Sequence, residues 1–143
     1  MIGILILTHG GMADELLAAA RRITGDLEGF EALSLDWDAS LEDATEKVRI
    51  AVQDADQGDG VLILTDIFGG TPSNVAMKQR LEGRVEVVSG VNLPMVVRLG
   101  CLLSSQSDPM PLDEMTLWIE GKGQSSICSS LSNDSRPMRK AGC

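Results

Sequence analysis

Two segments of the chain place a reactive side chain between an apolar run and a pair of glycines. GILILTHGG at residues 3–11 carries His9, the only histidine among 143 residues. VLILTDIFGGTPSN at residues 61–74 carries Asp66 in the corresponding position. A carboxylate that accepts the Nδ1 proton of an imidazole fixes its tautomer and leaves the Nε2 lone pair free as a nucleophile. The pattern therefore indicates nucleophilic chemistry at His9, with Asp66 as its orienting group.

Backbone amides beside both glycine pairs offer donors for an anion. Gly10 and Gly11 in the first segment, and Gly70 and Thr71 in the second, precede helical patterns. Helix N-termini bind phosphate through unpaired N–H groups and the helix dipole. Gly69 and Gly70 also permit positive φ angles and a close approach of a ligand. Neither segment contains lysine or arginine, so neutral donors would hold a phosphoryl group weakly, as a relay requires.

The same residues also admit other interpretations. Acyl transfer would need a serine-type nucleophile, for which only Thr71 or Ser73 is available, and the G-x-S-x-G elbow is missing. A phosphatase of the phosphoglycerate-mutase type would need arginines around His9. The plainest alternative is an ordinary strand-to-helix turn, in which Thr71 caps a helix that begins at Pro72.

The elements that must position these loops alternate between strands and helices. Strands are predicted over residues 2–7, 30–35, 61–65 and 85–88. Helices are predicted over residues 12–25, 41–54, 94–103 and from Pro72 to near residues 81–83. This alternation predicts an open α/β sheet of mostly parallel strands, doubly wound, with right-handed crossovers and helices on both faces. Ligands of such sheets bind at the carboxyl ends of the strands.

Two further loops contain helix-capping residues. Ser40 precedes the second predicted helix, and Asn92 lies in SGVNLP, a third loop at the same sheet edge. Serine and asparagine side chains accept hydrogen bonds from the first free amides of a helix. We therefore expect Ser40 and Asn92 to begin the helices that follow them.

The region after residue 106 has an ambiguous pattern. Leu112, Met115 and Ile119 have helical spacing, whereas Met115, Leu117 and Ile119 alternate as in a strand. Two acidic residues that follow a proline favour a helix. Residues 133–143 are polar and are predicted to form a mobile tail beyond a single domain of residues 1–132.

Composition excludes several classes of function. Twelve lysines and arginines against 21 aspartates and glutamates give a net charge of -9, which disfavours nonspecific binding to nucleic acid or to an anionic membrane. The apolar run at residues 2–7 is too short for membrane insertion. Three widely spaced cysteines without a CxxC pair indicate neither a disulfide framework nor a zinc site. We therefore expect a cytoplasmic protein without metal or cofactor.

Three motifs of the chain resemble the IIA component of mannose-type sugar phosphotransferase systems. They are GILILTHGGMADEL at residues 3–16, LTDIFGGTPSN at residues 64–74 and SGVNLPMV at residues 89–96. The resemblance extends over about residues 1–127. It implies that His9 accepts a phosphoryl group from the small carrier HPr and passes it to a IIB component in sugar uptake.

The resemblance also implies roles for other residues and an assembly. Asp66 would orient His9, and Thr71 would help to hold the phosphoryl group. The sheet would have the strand order 2-1-3-4, with the site between the first and third strands. A C-terminal strand, near residues 126–132 here, would be exchanged between the two subunits of a homodimer.

Two related functions also fit these residues. The phosphotransfer subunit of dihydroxyacetone kinase shares the fold and the strand-end histidine, although the TDIFGGTPSN stretch is more similar to the sugar transport family. A regulatory module, whose phosphorylation state is read by partners, would need the same site but no sugar.

Overall fold

The structure is a computed structural model that describes residues 1–105 and 108–131. Strands and helices alternate through the first eight elements, as the sequence predicts, and a ninth element is a further helix. In chain order they are β1 Gly3–His9, α1 Met12–Thr24, β2 Phe30–Leu35, α2 Leu41–Ala55, β3 Val61–Thr65, α3 Thr71–Gln79, β4 Val85–Ser89, α4 Leu93–Ser104 and α5 Leu112–Ser125.

The four strands form one parallel sheet with the order β2-β1-β3-β4. The predicted open α/β sheet and its strand order are confirmed. β1 and β3 are neighbours at its centre, with Leu7 opposite Thr65 near their carboxyl ends. All five residues of β3 are buried, because helices cover both faces of a doubly wound sheet. The register brings the residues that follow β1 and β3 to the same edge.

Two apolar clusters hold the helices on opposite faces. Alternate residues of β1 divide between them, since successive side chains of a strand point to opposite faces. Ile4 and Ile6 pack in the cluster formed with α1, α4 and α5. Leu5 and Leu7 pack in the cluster formed with α2 and α3. The sheet is therefore the middle layer of three, and β1 is fixed from both sides.

Side-chain caps form at two predicted positions. The Ser40 hydroxyl accepts a hydrogen bond from the Asp43 N–H at 3.1 Å. The Asn92 side chain accepts one from the Met95 N–H at 3.0 Å. Both predictions are confirmed, and each cap satisfies an amide that the helix itself leaves unpaired.

The start and end of α3 differ from the sequence prediction. Gly70, not Thr71, is the N-cap, and no side-chain hydrogen bond caps the helix. The Gly70 carbonyl already accepts the first intrahelical hydrogen bond, so Thr71 is the first helical residue. The helix ends at Gln79, before the predicted residues 81–83, because Leu81 instead bridges to Val85 at the start of β4.

The ambiguous segment after residue 106 forms a helix, as its acidic start predicts. Leu112, Met115 and Ile119 are buried in the core, whereas Leu117 is 70% exposed. The residues with helical spacing therefore form the buried face of α5, whereas the strand alternation would wrongly place Leu117 in the core. Packing against β3, β4 and α4 selects the helix.

The chain after α5 shows no strand as far as residue 131, where the description ends. Residues 126–131 form turns and irregular backbone, so the exchanged strand near residues 126–132 stays a prediction. The predicted tail at residues 133–143 lies outside the described residues. No helix in the described part of the chain is long and apolar enough to cross a membrane.

Candidate functional site

His9 is the last residue of β1, and Asp66 is the first residue after β3. Their neighbouring strands bring two residues that are 57 positions apart in the sequence into contact. The His9 side chain is 20% exposed and the Asp66 side chain is 9% exposed. The imidazole therefore remains open to a reactant, while the carboxylate lies behind it.

Asp66 makes three hydrogen bonds that define the site. Its Oδ2 atom lies 2.7 Å from His9 Nδ1 and accepts the His9 backbone N–H at 2.9 Å. Its Oδ1 atom accepts the Ile67 N–H at 2.8 Å. Burial raises the pKa of Asp66, but the hydrogen bonds from His9 and Ile67 outweigh it and hold that pKa below its ordinary value. Backbone N–H groups thus hold the ionised carboxylate in place, and the same carboxylate is hydrogen-bonded to the His9 ring.

The hydrogen bonding assigns the tautomer of His9. An ionised carboxylate only accepts hydrogen bonds, so the proton between the two side chains belongs to Nδ1 of His9. In the neutral ring the lone pair then resides on Nε2, on the side away from Asp66. The arrangement can perform nucleophilic attack from Nε2.

Gly70 lies against the reactive side of the ring. A Cβ atom built at Gly70 would be 2.8 Å from His9 Cε1 and 3.4 Å from His9 Nε2. The φ angle of Gly70 is -76°, whereas Gly69 has a φ of 85°. The two glycines therefore meet different needs: Gly69 adopts the left-handed backbone conformation, and Gly70 permits the close approach of α3 to His9.

The predicted anion donors divide into two kinds. The Gly10 N–H donates to the Leu35 carbonyl at 2.8 Å, and the Gly70 N–H donates to the Ile67 carbonyl at 3.3 Å. The Gly10 amide therefore joins β1 to β2, and phosphate binding by Gly10 stays a prediction. Gly11 and Thr71 stand at the starts of α1 and α3, where helix geometry leaves amides unpaired.

The hydroxyl groups near the site have separate tasks. Thr8 Oγ1 accepts the Ala13 N–H at 2.7 Å and so satisfies an amide at the start of α1. Ser73 is buried, with its hydroxyl 3.1 Å from that of Ser89. Ser73 is engaged behind the site and does not complete a triad with His9. Thr71 is exposed at the start of α3.

Sequence reasoning missed Trp37. This residue lies in the polar loop between β2 and α2, and its indole stacks on the His9 ring with centroids 4.8 Å apart and planes 17° apart. The signal that could have revealed it is a tryptophan in a polar loop at the carboxyl edge of a strand next to β1. Aromatic pairs in such offset contacts contribute beyond the area they bury.

The described residues include no cluster of three or more histidine, cysteine or acidic side chains that could hold a metal ion.

Comparisons with known proteins agree with this geometry. A family model described as the PTS system fructose IIA component matches residues 3–108. The mannose-specific EIIAB component of Escherichia coli strain K12 is 30% identical over 141 residues, which cover 98% of this chain and 42% of that protein. The chain thus spans about two-fifths of that relative. The fructose-specific EIIA component of Bacillus subtilis is 32% identical over 100 residues, covering 69% of this chain and 68% of the relative.

Solved structures show the same fold. The mannose/sorbose specific IIA subunit of the phosphotransferase system from Enterococcus faecalis superposes with a TM-score of 0.77 at 27% identity, covering 97% of this chain and 98% of that one. The component EIIA from Streptococcus agalactiae gives a TM-score of 0.76 at 26% identity, with 90% and 97% coverage. From the matched family model and these relatives, the chain belongs to the fructose and mannose family of phosphotransferase-system IIA components.

Proposed function

We propose that the chain carries a phosphoryl group on His9 Nε2, receiving it from HPr and passing it to a IIB component during sugar uptake in the cytoplasm. The observation that carries this proposal is the 2.7 Å contact between His9 Nδ1 and Asp66, which leaves Nε2 as the nucleophile beside Gly70. Family membership supports a phosphotransferase role, and the resemblance supplies the donor and the acceptor.

The transfer consists of two exchanges at phosphorus. The Nε2 lone pair of His9 attacks the phosphorus of phospho-HPr, and the bond between phosphorus and the donor breaks with its electrons leaving on the donor. The Nδ1 proton stays in its hydrogen bond to Asp66. A nucleophile of the IIB component then attacks the same phosphorus, and the His9 N–P bond breaks. His9 is regenerated with its lone pair on Nε2.

Two helix starts are suited to hold the phosphoryl oxygens. α1 and α3 begin at the same sheet edge as His9, and a helix start carries partial positive charge from its unpaired amides. The absence of a side-chain cap on α3 supports a ligand role for the exposed Thr71 hydroxyl. We assign phosphate contacts to Gly11, Gly70 and Thr71, with Gly70 contributing close approach.

The charge of the chain suits a partner with a basic face. The net charge of -9 would attract such a partner and accelerate encounter at low salt. The exposed side chains beside His9 include Ile67 and Phe68, which are 61% and 81% exposed. Exposed apolar side chains on an acidic chain are consistent with transient docking of a carrier protein.

The proposal is tested by phosphate transfer from phosphoenolpyruvate through enzyme I and HPr to the pure chain. We expect one acid-labile phosphate on the wild-type chain and none on a folded His9→Ala variant. Labelling of that variant at the wild-type level would refute the proposal. Purified IIB components are then offered as acceptors, and transfer to none of them from a labelled chain would favour the regulatory module instead.

We also propose that the chain forms a homodimer in which residues 126–132 pair with the sheet of the second subunit. β4 lies at an edge of the sheet, and an open groove of about 470 Å³ lies beside it, lined in part by Val87, Ser89 and Ile127. Ile127 is 83% exposed in the single chain. An uncovered strand edge readily accepts another strand.

Sedimentation of the full chain and of a truncation after Gln124 separates the dimer from the strand exchange. We expect a dimer for the full chain and a weaker dimer or a monomer for the truncation. A monomeric full chain at micromolar concentration would contradict the dimer. An undiminished dimer after truncation would contradict only the exchange.

A further inference from the structure

Trp37 is highly exposed yet occupies a defined place. The residue is 76% exposed, and its indole stacks on the His9 ring with a centroid distance of 4.8 Å and an angle of 17° between the planes. An exposed tryptophan contributes little to the core. Its contact with the reactive ring therefore needs a separate explanation.

The backbone around Trp37 is built to support this contact. A turn closes the loop, with the Ala39 N–H donating to the Asp36 carbonyl at 3.1 Å. The Ser40 cap fixes the far end of the loop to α2. At the near end, the Gly10 N–H donates to the Leu35 carbonyl at 2.8 Å and joins the loop to the residue after His9.

Gly10 makes room for the indole. A Cβ atom at Gly10 would lie 3.1 Å from Trp37 Nε1, a distance that would force the indole to shift. Gly10 also has a φ of 54°, in the region that favours glycine. Gly10, the first residue of the glycine pair, thus makes room for the stacking of Trp37 on the neighbouring histidine.

The contacts that the His9 ring makes with Asp66 and Gly70 do not prevent the imidazole plane from tilting. The hydrogen bond to Asp66 fixes one ring atom, and Gly70 lies near the Cε1 and Nε2 edge. A ring that is attached at Cγ and hydrogen-bonded at Nδ1 can still tilt about the line through these two atoms. An aromatic plane stacked on its face opposes this tilt and keeps Nε2 aimed in one direction.

We propose that Trp37 is a positioning residue that fixes the plane of the His9 imidazole for phosphoryl transfer. The inference rests on the proposed function of His9. In-line transfer requires the nucleophile to be aligned with phosphorus, and misplacement by about 1 Å can cost about 100-fold in rate. Trp37 thereby acts through His9 and makes no bond to the phosphoryl group.

The stacking itself is tested without any phosphoryl donor. The chain contains one histidine and two tryptophans, so the ring protons of His9 give unambiguous NMR signals. We expect Trp37→Ala to shift these signals, because the indole ring current is lost. Trp118→Phe, which alters the tryptophan on α5, is the matched control and should leave them in place. Unchanged His9 signals in Trp37→Ala would overturn the inference.

The positioning role is tested by single-turnover transfer from phospho-HPr. We expect Trp37→Ala to lower the limiting rate by about 10- to 100-fold, with little change in the half-saturating HPr concentration, and Trp37→Phe to restore most of the rate. A changed half-saturating concentration with an unchanged limiting rate would indicate docking and overturn the inference alone. A wild-type chain that takes no phosphoryl group would overturn the proposed function and this inference together.

Discussion

The loops that follow β1 and β3 have similar sequences but different hydrogen bonding. In the first, Gly10 is tied to β2 and Thr8 satisfies an amide of α1. In the second, both oxygens of Asp66 are engaged, whereas α3 begins without a side-chain cap. The first loop anchors the backbone next to His9, whereas the second contacts the His9 ring through Asp66 and leaves the start of α3 without a side-chain cap. Two loops with similar sequences can therefore make different contributions to one site.

Asp66→Asn is expected to have the largest effect in the second loop. The amide can donate to Nδ1 and so favour the wrong tautomer of His9, and the analogous change in a serine protease triad costs about 10⁴ in rate. We predict a loss of several orders of magnitude in transfer from phospho-HPr, measured in single turnovers. Wild-type rates in a folded Asp66→Asn chain would show that the two loops do not cooperate through this bond.

Gly70→Ala is expected to have the next largest effect, because its Cβ would meet His9 Cε1 at 2.8 Å. Displacement of the ring should slow transfer by about 100-fold. Gly69→Ala is the matched control: it has a φ of 85° and an open space around its Cβ. It should lower the unfolding free energy by about 1–2 kcal/mol with transfer largely kept. Equal loss of transfer in both variants would contradict the close-approach role of Gly70.

A pair of threonine variants tests which loop uses a hydroxyl for capping. Thr8 is buried and accepts the Ala13 N–H, so Thr8→Val should lower the unfolding free energy by about 1–2 kcal/mol. Thr71→Ala should leave stability nearly unchanged, since α3 has no side-chain cap, but should slow transfer. Thermal melts and single-turnover rates measure both quantities. A Thr71→Ala chain that is less stable but transfers the phosphoryl group at the wild-type rate would show that the role of Thr71 is purely structural.

The smallest expected effect is a pH dependence of stability. The folded-state pKa of Asp66 lies below its ordinary value, so its ionised form stabilises the fold above about pH 4, the pKa of an unfolded aspartate. That contribution declines as pH falls through the lower folded-state pKa. We expect the difference in unfolding free energy between wild type and Asp66→Asn to shrink from pH 7 to pH 3. If urea titrations give the same difference in unfolding free energy at every pH, the result would argue against an ionised Asp66 that stabilises the fold.

Much of the architecture was accessible from local pattern. Strands and helices can be told apart in the sequence because they bury apolar side chains with different periods. Apolar runs of five or six residues that alternate with amphipathic segments then predict a parallel sheet. The strand order came from family resemblance. The α3 start was predicted wrongly because threonine is a good N-cap in general, whereas here the Gly70 backbone takes that position.

The sequence by itself determined which residues could react and at which edge of the sheet they would meet. His9 ends β1 and Asp66 follows β3, and parallel strands end at a common edge. Only the tertiary structure decided that Trp37 covers the imidazole, that Gly70 touches its edge and that the Gly10 amide is already used. These contacts join residues from different loops within a few ångströms, and such distances depend on strand register and helix packing that no local pattern contains.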